Sequence, residues 1–286
     1  MLALFLCVVF SVLLLVNFRL HAACKVQTPL AILLNYTVCF LTGLAMNGWT
    51  LGIVWPAGEV LLPVLALGLG FVVVFLLSGY STQKNGMSAN SLASNLSLVI
   101  PVLYNLLVLN AHQAIGWQTY VGLALAFASI YLFNPAADKQ HQGAVLWALL
   151  AVFLAYGISN TSFNVLNARW APSIGGTVPF MLLALMGSMT AGWVVALILL
   201  WRGKLHWDTR SVLAAIPLGL PNFFSFYFML KALDAYQNHG GIVLPIYNIG
   251  TIALTALVAW VFFKEKLSPR QGWGLGLGAV AIYLLL

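Results

Sequence analysis

The sequence predicts an all-α integral membrane protein of about ten transmembrane helices, arranged as two inverted five-helix repeats. Its 286 residues are 62% hydrophobic and only 6% charged, with a mean hydropathy of +1.00, whereas soluble domains carry roughly 25% charged residues. A membrane-spanning helix needs about 20 apolar residues, so this length holds about ten spans and no additional soluble domain. The composition excludes a soluble enzyme, a disordered chain and a nucleic-acid-binding protein.

Apolar stretches that end at polar or turn residues define the ten spans in order. The first five cover residues 2–18, 30–46, 60–80, 88–109 and 115–133, and the next five cover residues 143–165, 177–201, 211–233, 241–263 and 271–286. Asn85-Gly86 and residues 238–241 are short turns. The longest break opens at Asn134-Pro135, and it divides the chain into a first repeat (1–134), a connection (135–142) and a second repeat (143–286).

The first apolar run is followed by Ala22, Ala23 and Cys24, and this arrangement shares features with a cleaved signal peptide. A signal peptide carries its positive charge before the apolar stretch, but here the first basic residue, Arg19, comes after it. We therefore expect residues 2–18 to remain as the first span.

Lysine and arginine are distributed unevenly between the connections. The odd-numbered connections hold 10 of the 12 basic residues, and the even-numbered connections hold only Arg169 and Lys231. Because cytoplasmic loops carry an excess of positive charge, we expect the odd-numbered connections in the cytoplasm and both termini outside.

Two segments of the chain align without a gap when they are offset by 152 residues. Residues 122–132 match residues 274–284, with Gly122 against Gly274 and Tyr131 against Tyr283. A unit of five spans inverts the second copy relative to the first, and inverted repeats recur in secondary transporters. The alternative is a chance similarity between two apolar helices rich in leucine, glycine and alanine.

The second half of the chain contains Lys231-Ala-Leu233, then Pro245, then the segment 264–271, and then Gly274 at the start of a glycine-rich last helix. This order of residues resembles the end of an EamA-type repeat of the drug/metabolite transporter superfamily. The resemblance is best over about the last 60 residues and weaker in the first half. It implies a ten-helix inverted-repeat fold that exports or exchanges small solutes by alternating access. Members of this family are usually drawn with cytoplasmic termini, opposite to the orientation that the charges here predict.

Four spans carry polar residues at helical spacing, and these stripes are expected to face a shared cavity because a polar side chain facing hydrocarbon is costly. The stripe of the fourth span consists of Asn90, Ser94, Ser97, Pro101 and Tyr104. The candidate substrate-binding residues on the polar faces of the fourth, sixth, eighth and ninth spans are Asn95, Tyr104, Tyr156, Asn160, Asn222, Tyr227, Tyr247 and Asn248. The alternative role is hydrogen bonding between helices, which is the commoner one for serine and threonine.

Acidic residues are absent from the middle of the predicted spans and fall instead at span ends or in connections, at Glu59, Asp138, Asp208, Asp234 and Glu265. Exporters of cationic drugs commonly use a membrane-buried carboxylate, so we expect a neutral or zwitterionic substrate. The segment 264–270, which includes Glu265, is predicted to be a solvated anchor between the last two helices.

These features predict a secondary transporter, an exporter or exchanger in the inner (plasma) membrane, that moves a small neutral or zwitterionic metabolite through a central cavity. The alternatives are a lipid or lipid-linked-sugar translocase of the same superfamily, or a non-transporting membrane protein. An enzyme is not expected, because no span carries the paired acids or histidines that catalysis needs. Cys7, Cys24 and Cys39 have no metal-binding or redox spacing. We therefore expect no metal and no cofactor, and the expected partners are a small-molecule substrate and the lipid bilayer.

The last span contains two overlapping G-x-x-x-G spacings, formed by Gly272, Gly274, Gly276 and Gly278. Such spacings allow helices to approach closely. Contact within the monomer is favoured over a homodimer interface, and both are retained.

Overall fold

The computed structural model describes residues 1–104, 108, 116–133, 142–236, 240–265 and 267–284. Within these residues the chain forms eleven helices and no strand. In chain order the helices are α1 (Leu2–Ala23), α2 (Thr28–Met46), α3 (Gly58–Asn85), α4 (Met87–Leu96), α5 (Val99–Tyr104), α6 (Trp117–Phe133), α7 (Gln142–Ile174), α8 (Thr177–Trp201), α9 (Thr209–Ala235), α10 (Gly240–Phe263) and α11 (Pro269–Leu284).

Seven helices of the described residues are long and apolar enough to cross a membrane. They are α1, α2, α3, α8 and α9, together with Leu146–Ile174 of α7 and Ile246–Phe263 of α10. The protein is therefore an all-α, multi-pass integral membrane protein, and the predicted fold class is confirmed at this level. The ten crossings and the inverted repeat stay predictions.

The fourth predicted span consists of two helices, because α4 ends at Leu96 and α5 begins at Val99. Pro101 has no N–H to donate to the carbonyl of Ser97, four residues earlier. That carbonyl instead accepts the N–H of Ile100 at 3.0 Å, and the helix breaks there. The predicted end of this span at residue 109 and the predicted start of the next at residue 115 lie outside the described residues.

Other predicted spans end too early in the sequence, because hydropathy falls before the helix ends. The first span was predicted to end at Phe18, but α1 continues through Arg19 to Ala23. The sixth was predicted to end at residue 165, but α7 continues to Ile174. In both places the polar residues still form backbone hydrogen bonds within the helix. Residues 134–141, which include most of the predicted central connection, lie outside the described residues.

The basic connections meet at one end of the molecule, which we call the basic end. The amide of Gln27, between α1 and α2, donates from Nε2 to the Asp208 carboxylate at 2.6 Å, just before α9. Nε2 of Gln83, near the end of α3, donates to the Phe18 carbonyl of α1 at 3.2 Å and to Thr28 of α2 at 2.5 Å. The described basic residues at this end are Arg19, Lys25, Lys84, Arg202, Lys204, Arg210, Lys264 and Arg270.

The opposite end of the molecule holds the other described connections. The N–H of Val54, between α2 and α3, donates to the carbonyl of Ile174 at 2.9 Å, at the end of α7. The Tyr236 hydroxyl donates to the sulfur of Met1 at 2.7 Å. The N-terminus and the end of α9 therefore lie together, at the end away from most of the described basic residues.

Helices of the two chain halves pack against each other more than within each half. Helix α1 packs on α9 and α10, α2 packs on α8 and α9, and α3 packs on α7 and α8. Glycines allow the closest approaches: a Cβ atom at Gly68 of α3 would lie 2.3 Å from the backbone N of Ser188 in α8. Helices α6 and α11 form a separate pair at the periphery, where the Ser129 hydroxyl donates to the Gly274 carbonyl at 2.6 Å.

The glycines of the last helix divide between two faces. Gly274 and Gly278 are buried, and a Cβ atom at Gly278 would lie 2.7 Å from Leu92 of α4 and 2.8 Å from Ser129 of α6. Gly272 and Gly276 would meet no atom within 4 Å. One of the two G-x-x-x-G spacings is thus used for packing within the chain.

Candidate binding cavity

A cavity of about 350 Å³ lies at the centre of the bundle. Its walls come from α1, α2, α3, α4, α5, α7, α8, α9 and α10, so both halves of the chain contribute. Helices α6 and α11 contribute no lining residue from the described part of the chain. Pockets that hold small organic ligands have volumes of roughly 300 to 1,000 Å³, so this cavity is large enough for a metabolite.

Six of the eight predicted site residues line the cavity. They are Asn95 of α4, Tyr156 and Asn160 of α7, Asn222 of α9, and Tyr247 and Asn248 of α10. The polar stripes on four predicted spans therefore do converge on one space. That these residues bind a substrate stays a prediction.

Tyr104 and Tyr227 are not among the residues that line the cavity, so the structure does not bring them together with the other six. Tyr104 ends α5, beyond the break at Ser97, and its spacing from Asn90 assumed one continuous helix. Tyr227 is five residues after Asn222, which places it about 140° around the helix at 3.6 residues per turn. It stacks on Phe223 with ring centroids 5.9 Å apart and packs in the cluster between α2, α8 and α9.

Four helices that the sequence analysis did not assign to the site, α1, α2, α3 and α8, also line the cavity. Helix α1 contributes Ser11, whose hydroxyl lies 3.0 Å from the Tyr247 hydroxyl of α10. Helix α2 contributes Tyr36, which donates to the Phe71 carbonyl of α3 at 2.7 Å. The sequence analysis missed Tyr36 because a single tyrosine in an apolar span forms no polar stripe. The only sequence signal for a polar site there was the neighbouring residue, Asn35.

Asn222 is held by an amide that does not line the cavity. Its Nδ2 donates to Oδ1 of Asn35 in α2 at 2.8 Å, and Asn35 is fully buried. Asn35 in turn donates to the Ile32 carbonyl, and its Oδ1 also accepts the thiol of Cys39 at 3.5 Å. Asn35 therefore fixes the orientation of Asn222, and the sequence analysis missed it.

Other polar atoms around the cavity have no hydrogen-bond partner among the described residues. Asn248 is only 6% exposed and forms no hydrogen bond with the described residues. Ser159 Oγ and Thr251 Oγ1, which belong to lining residues, are buried without a partner in the same part of the chain. Buried polar atoms are nearly always hydrogen-bonded to protein or water, so these groups are free to bind water or a ligand.

The lining of the cavity is electrically neutral. Among its described residues there is no lysine, arginine, aspartate or glutamate. Aromatic rings form much of the apolar wall, including Phe163 and Phe226, whose ring centroids lie 4.9 Å apart with one edge against the other's face. The lining therefore combines apolar and aromatic surface with amides and hydroxyls that can donate and accept hydrogen bonds. The described residues also include no cluster of three or more metal-ligating side chains.

The cavity extends toward the end opposite the basic end. On α9 the lining residues run from Asn222 to Leu233, and on α10 they run from Leu244 to Thr251. In each case this is the half of the helix farther from the basic end. Toward the basic end the cavity meets Phe18, which is 1% exposed and packs edge-on against Phe75 at 5.7 Å.

A similar protein occurs in Haemophilus influenzae, described as an "Uncharacterized protein". It is 30% identical to this chain over 227 residues, which cover 77% of this chain and 74% of that protein. This chain belongs to the same family. Neither half of the chain is as long as the aligned region, so the similarity includes parts of both halves. No family model matches the chain.

Proposed function

We propose that this protein is a secondary transporter that moves a small neutral or zwitterionic metabolite by alternating access. The observation that carries the proposal is the central cavity, which both chain halves line and which contains no charged residue in its described part. Transporters place their substrate site near mid-membrane between two related halves. A cavity at the centre of the bundle that both chain halves line supports such a site.

The packing of the helices supports an inverted repeat of five spans. If α1, α2, α3, α4–α5 and α6 correspond to α7, α8, α9, α10 and α11, each major contact has a counterpart. Helix α1 packs on α9 as α3 packs on α7, and α2 packs on α9 as α3 packs on α8. The contacts α2–α8, α4–α10 and α6–α11 each join two corresponding helices, so exchanging the two halves leaves these contacts unchanged. This pairing, with the alignment at an offset of 152 residues, is the basis for placing the chain with EamA-like drug/metabolite transporters.

The distribution of charge supports an orientation in the plasma membrane. The described connections of the basic end hold most of the lysines and arginines, and positive loops remain in the cytoplasm. We therefore place the basic end inside the cell and both termini outside. The cavity then extends outward in the described state.

A lipid or lipid-linked-sugar translocase is less well supported. Such a protein needs basic residues to hold an anionic headgroup, and the described lining has none. A catalytic role likewise requires acids, bases or nucleophiles that converge on a reacting atom. The amides and hydroxyls of this cavity bind and orient a solute without reacting with it.

Solute counterflow in liposomes tests the proposal. The purified chain is reconstituted and preloaded with each member of a panel of neutral, zwitterionic, anionic and cationic solutes, and the uptake of the same labelled solute is measured. We expect exchange of at least one neutral or zwitterionic solute, absent from protein-free liposomes. Exchange restricted to charged solutes would refute the proposal. The absence of any exchange would also refute it, provided that the protein shows a cooperative thermal transition and is therefore folded. Scrambling of a fluorescent lipid without solute exchange would favour the translocase.

A further inference from the structure

A stripe of buried polar side chains leads from the cavity toward the basic end. It lies on the half of α3, α4 and α10 nearer that end, and we call it the polar seam. Its members are at most 3% exposed: Ser78, Ser81, Thr82, Asn90, Ser91, Thr251 and Thr255.

The polar seam is continuous with the cavity. Thr251 belongs to both. The hydroxyl of Tyr156, a cavity residue, donates to Ser78 Oγ at 3.4 Å, and Asn90 Nδ2 donates to the same oxygen at 2.8 Å. Asn90 lies one turn into α4, close to the basic end. The seam therefore leads from the cavity toward the basic end.

Several seam atoms are buried without a hydrogen-bond partner in the described part of the chain: Thr82 Oγ1, Asn90 Oδ1, Thr251 Oγ1 and Thr255 Oγ1. An interface that stays closed is more stable when its buried atoms are apolar or fully hydrogen-bonded. Four unpartnered polar atoms in one seam are better explained if the seam meets water in a second arrangement of the helices.

The seam is closed by apolar packing of α10 on α4. Ile252 of α10 packs in one cluster with Ala89, Leu92 and Ala93 of α4. Ala259, two turns nearer the basic end, packs with Met87. Ile249 packs against the first of these clusters, and Val258 and Phe263 pack against the second, so apolar side chains along α10 keep the seam closed.

Glu265 ties the α10–α11 connection to the start of α4 at the basic end. Its carboxylate accepts the Met87 N–H at 3.1 Å and the Ser88 hydroxyl at 3.2 Å, and Nε of Arg19 lies 4.0 Å away. Gly86 has a φ of +91°, and a Cβ atom there would lie only 2.9 Å from the carboxylate. The side chain is 17% exposed, so the predicted solvated anchor is wrong at this residue.

We propose that the polar seam is the path by which the solute leaves toward the basic end, and that Glu265 is the latch that keeps it closed. When the carboxylate releases α4, α10 separates from α4 and the seam hydroxyls and amides become hydrated. The path takes the same neutral solute as the cavity. Its role in transport rests on the proposed function, whereas the opening of the seam does not.

Cysteine accessibility tests the latch. In a chain with Cys7, Cys24 and Cys39 replaced by alanine or serine, Thr255→Cys is treated from the basic end with a small impermeant methanethiosulfonate reagent. Loss of a charged hydrogen-bond acceptor shifts a two-state equilibrium by roughly tenfold or more. We therefore expect Glu265→Ala to raise the labelling rate at least about tenfold.

Two matched controls accompany this measurement. Glu59→Ala removes an exposed carboxylate at the opposite end, and it should leave the labelling rate of Thr255→Cys unchanged. Ala196→Cys places a thiol at a fully buried position of α8, in a cluster that does not include Ile252, Ala259 or Met87, and Glu265→Ala should not accelerate its labelling. Equal acceleration at Ala196→Cys and Thr255→Cys, or none at Thr255→Cys, would overturn the proposal.

A milder variant covers the case in which Glu265→Ala fails to fold. Ser88→Ala removes one of the two hydrogen bonds that α4 donates to Glu265 and keeps the carboxylate. The labelling rate of Thr255→Cys should therefore rise, by a smaller factor than in Glu265→Ala. An unchanged labelling rate would count against the latch. Labelling needs no substrate, so the two proposals fail separately. Accelerated labelling without solute exchange would refute only the transport function, and exchange without accelerated labelling would refute only the latch.

Discussion

Replacement of Asn248 by leucine separates ligand binding from helix packing. Asn248 lines the cavity, is 6% exposed, and has no hydrogen bond to the described residues. Leucine has nearly the same shape and cannot hydrogen-bond. The substitution therefore removes contacts to a bound solute without breaking a contact between helices.

The expected magnitudes follow from these contacts. With no protein hydrogen bond lost and a buried amide replaced by an apolar group, the free energy of unfolding should not fall. A solute group that loses its amide partner and stays buried should cost about 1 to 3 kcal/mol. This corresponds to a roughly tenfold to hundredfold weaker affinity.

Asn35→Leu is the matched control, because Asn35 is fully buried outside the cavity lining and accepts the Nδ2 of Asn222 at 2.8 Å. It should lower the free energy of unfolding by about 1 to 3 kcal/mol, since the Asn222 N–H then loses its partner. Its effect on affinity should arise only through the orientation of Asn222.

Thermal unfolding in detergent and counterflow with the solute identified in liposomes measure the two quantities separately. The reasoning predicts a large loss of affinity without a loss of stability for Asn248→Leu. If Asn248→Leu instead lowers stability and leaves affinity unchanged, Asn248 is a packing residue and the proposed site is wrong.

Three further predictions concern topology, charge and pH. With Cys7, Cys24 and Cys39 replaced, Thr209→Cys should be shielded from an impermeant thiol reagent in intact cells and Ser173→Cys should be labelled; the reverse pattern would invert the orientation. Because the described cavity lining has no carboxylate, single amide replacements of Glu59 and Asp234 should leave solute affinity unchanged within about twofold, and abolished binding in a folded variant would refute the neutral-substrate proposal. Hydrogen bonds from Ser211, with a smaller contribution from Gln27, lower the pKa of Asp208 in the folded protein. The ionised carboxylate therefore stabilises the fold at any pH above the pKa that Asp208 has in the unfolded chain, and this stabilisation is lost as the pH falls through the pKa of the folded state. The Tm of the wild type should accordingly fall more on acidification than that of Asp208→Asn, and parallel pH profiles would show that these hydrogen bonds contribute nothing.

The sequence predicted the helices well because hydropathy reports directly on contact with hydrocarbon. It predicted the ends less well, since Arg19 is polar and still helical at the end of α1. The break in the fourth span was missed even though Pro101 was recognised, because a proline inside a span is compatible with a bend as well as with a break. Spacing within one helix cannot distinguish these outcomes.

The site was predictable where several polar residues share one face of a helix. Asn160 and Asn248 were found in this way, and both line the cavity. Tyr36 and Asn35 were missed because each depends on a neighbour distant in sequence: Tyr36 bonds to Phe71, and Asn35 bonds to Asn222. The role of Glu265 was hidden for the same reason, since its partner Met87 is 178 residues away.

The interleaved packing of the two halves has a consequence for how the protein is made. Helix α1 is synthesised before the other helices, yet its main partners are α9 and α10, which the ribosome produces much later. Until then the buried face of α1 and the close-packing glycines of α3 face lipid or a chaperone of the insertion machinery, and the cavity does not exist. A chain that stops before α10 therefore leaves the Ser11 hydroxyl in the bilayer without its Tyr247 partner. Completion of α10 supplies that partner and the last wall of the cavity together.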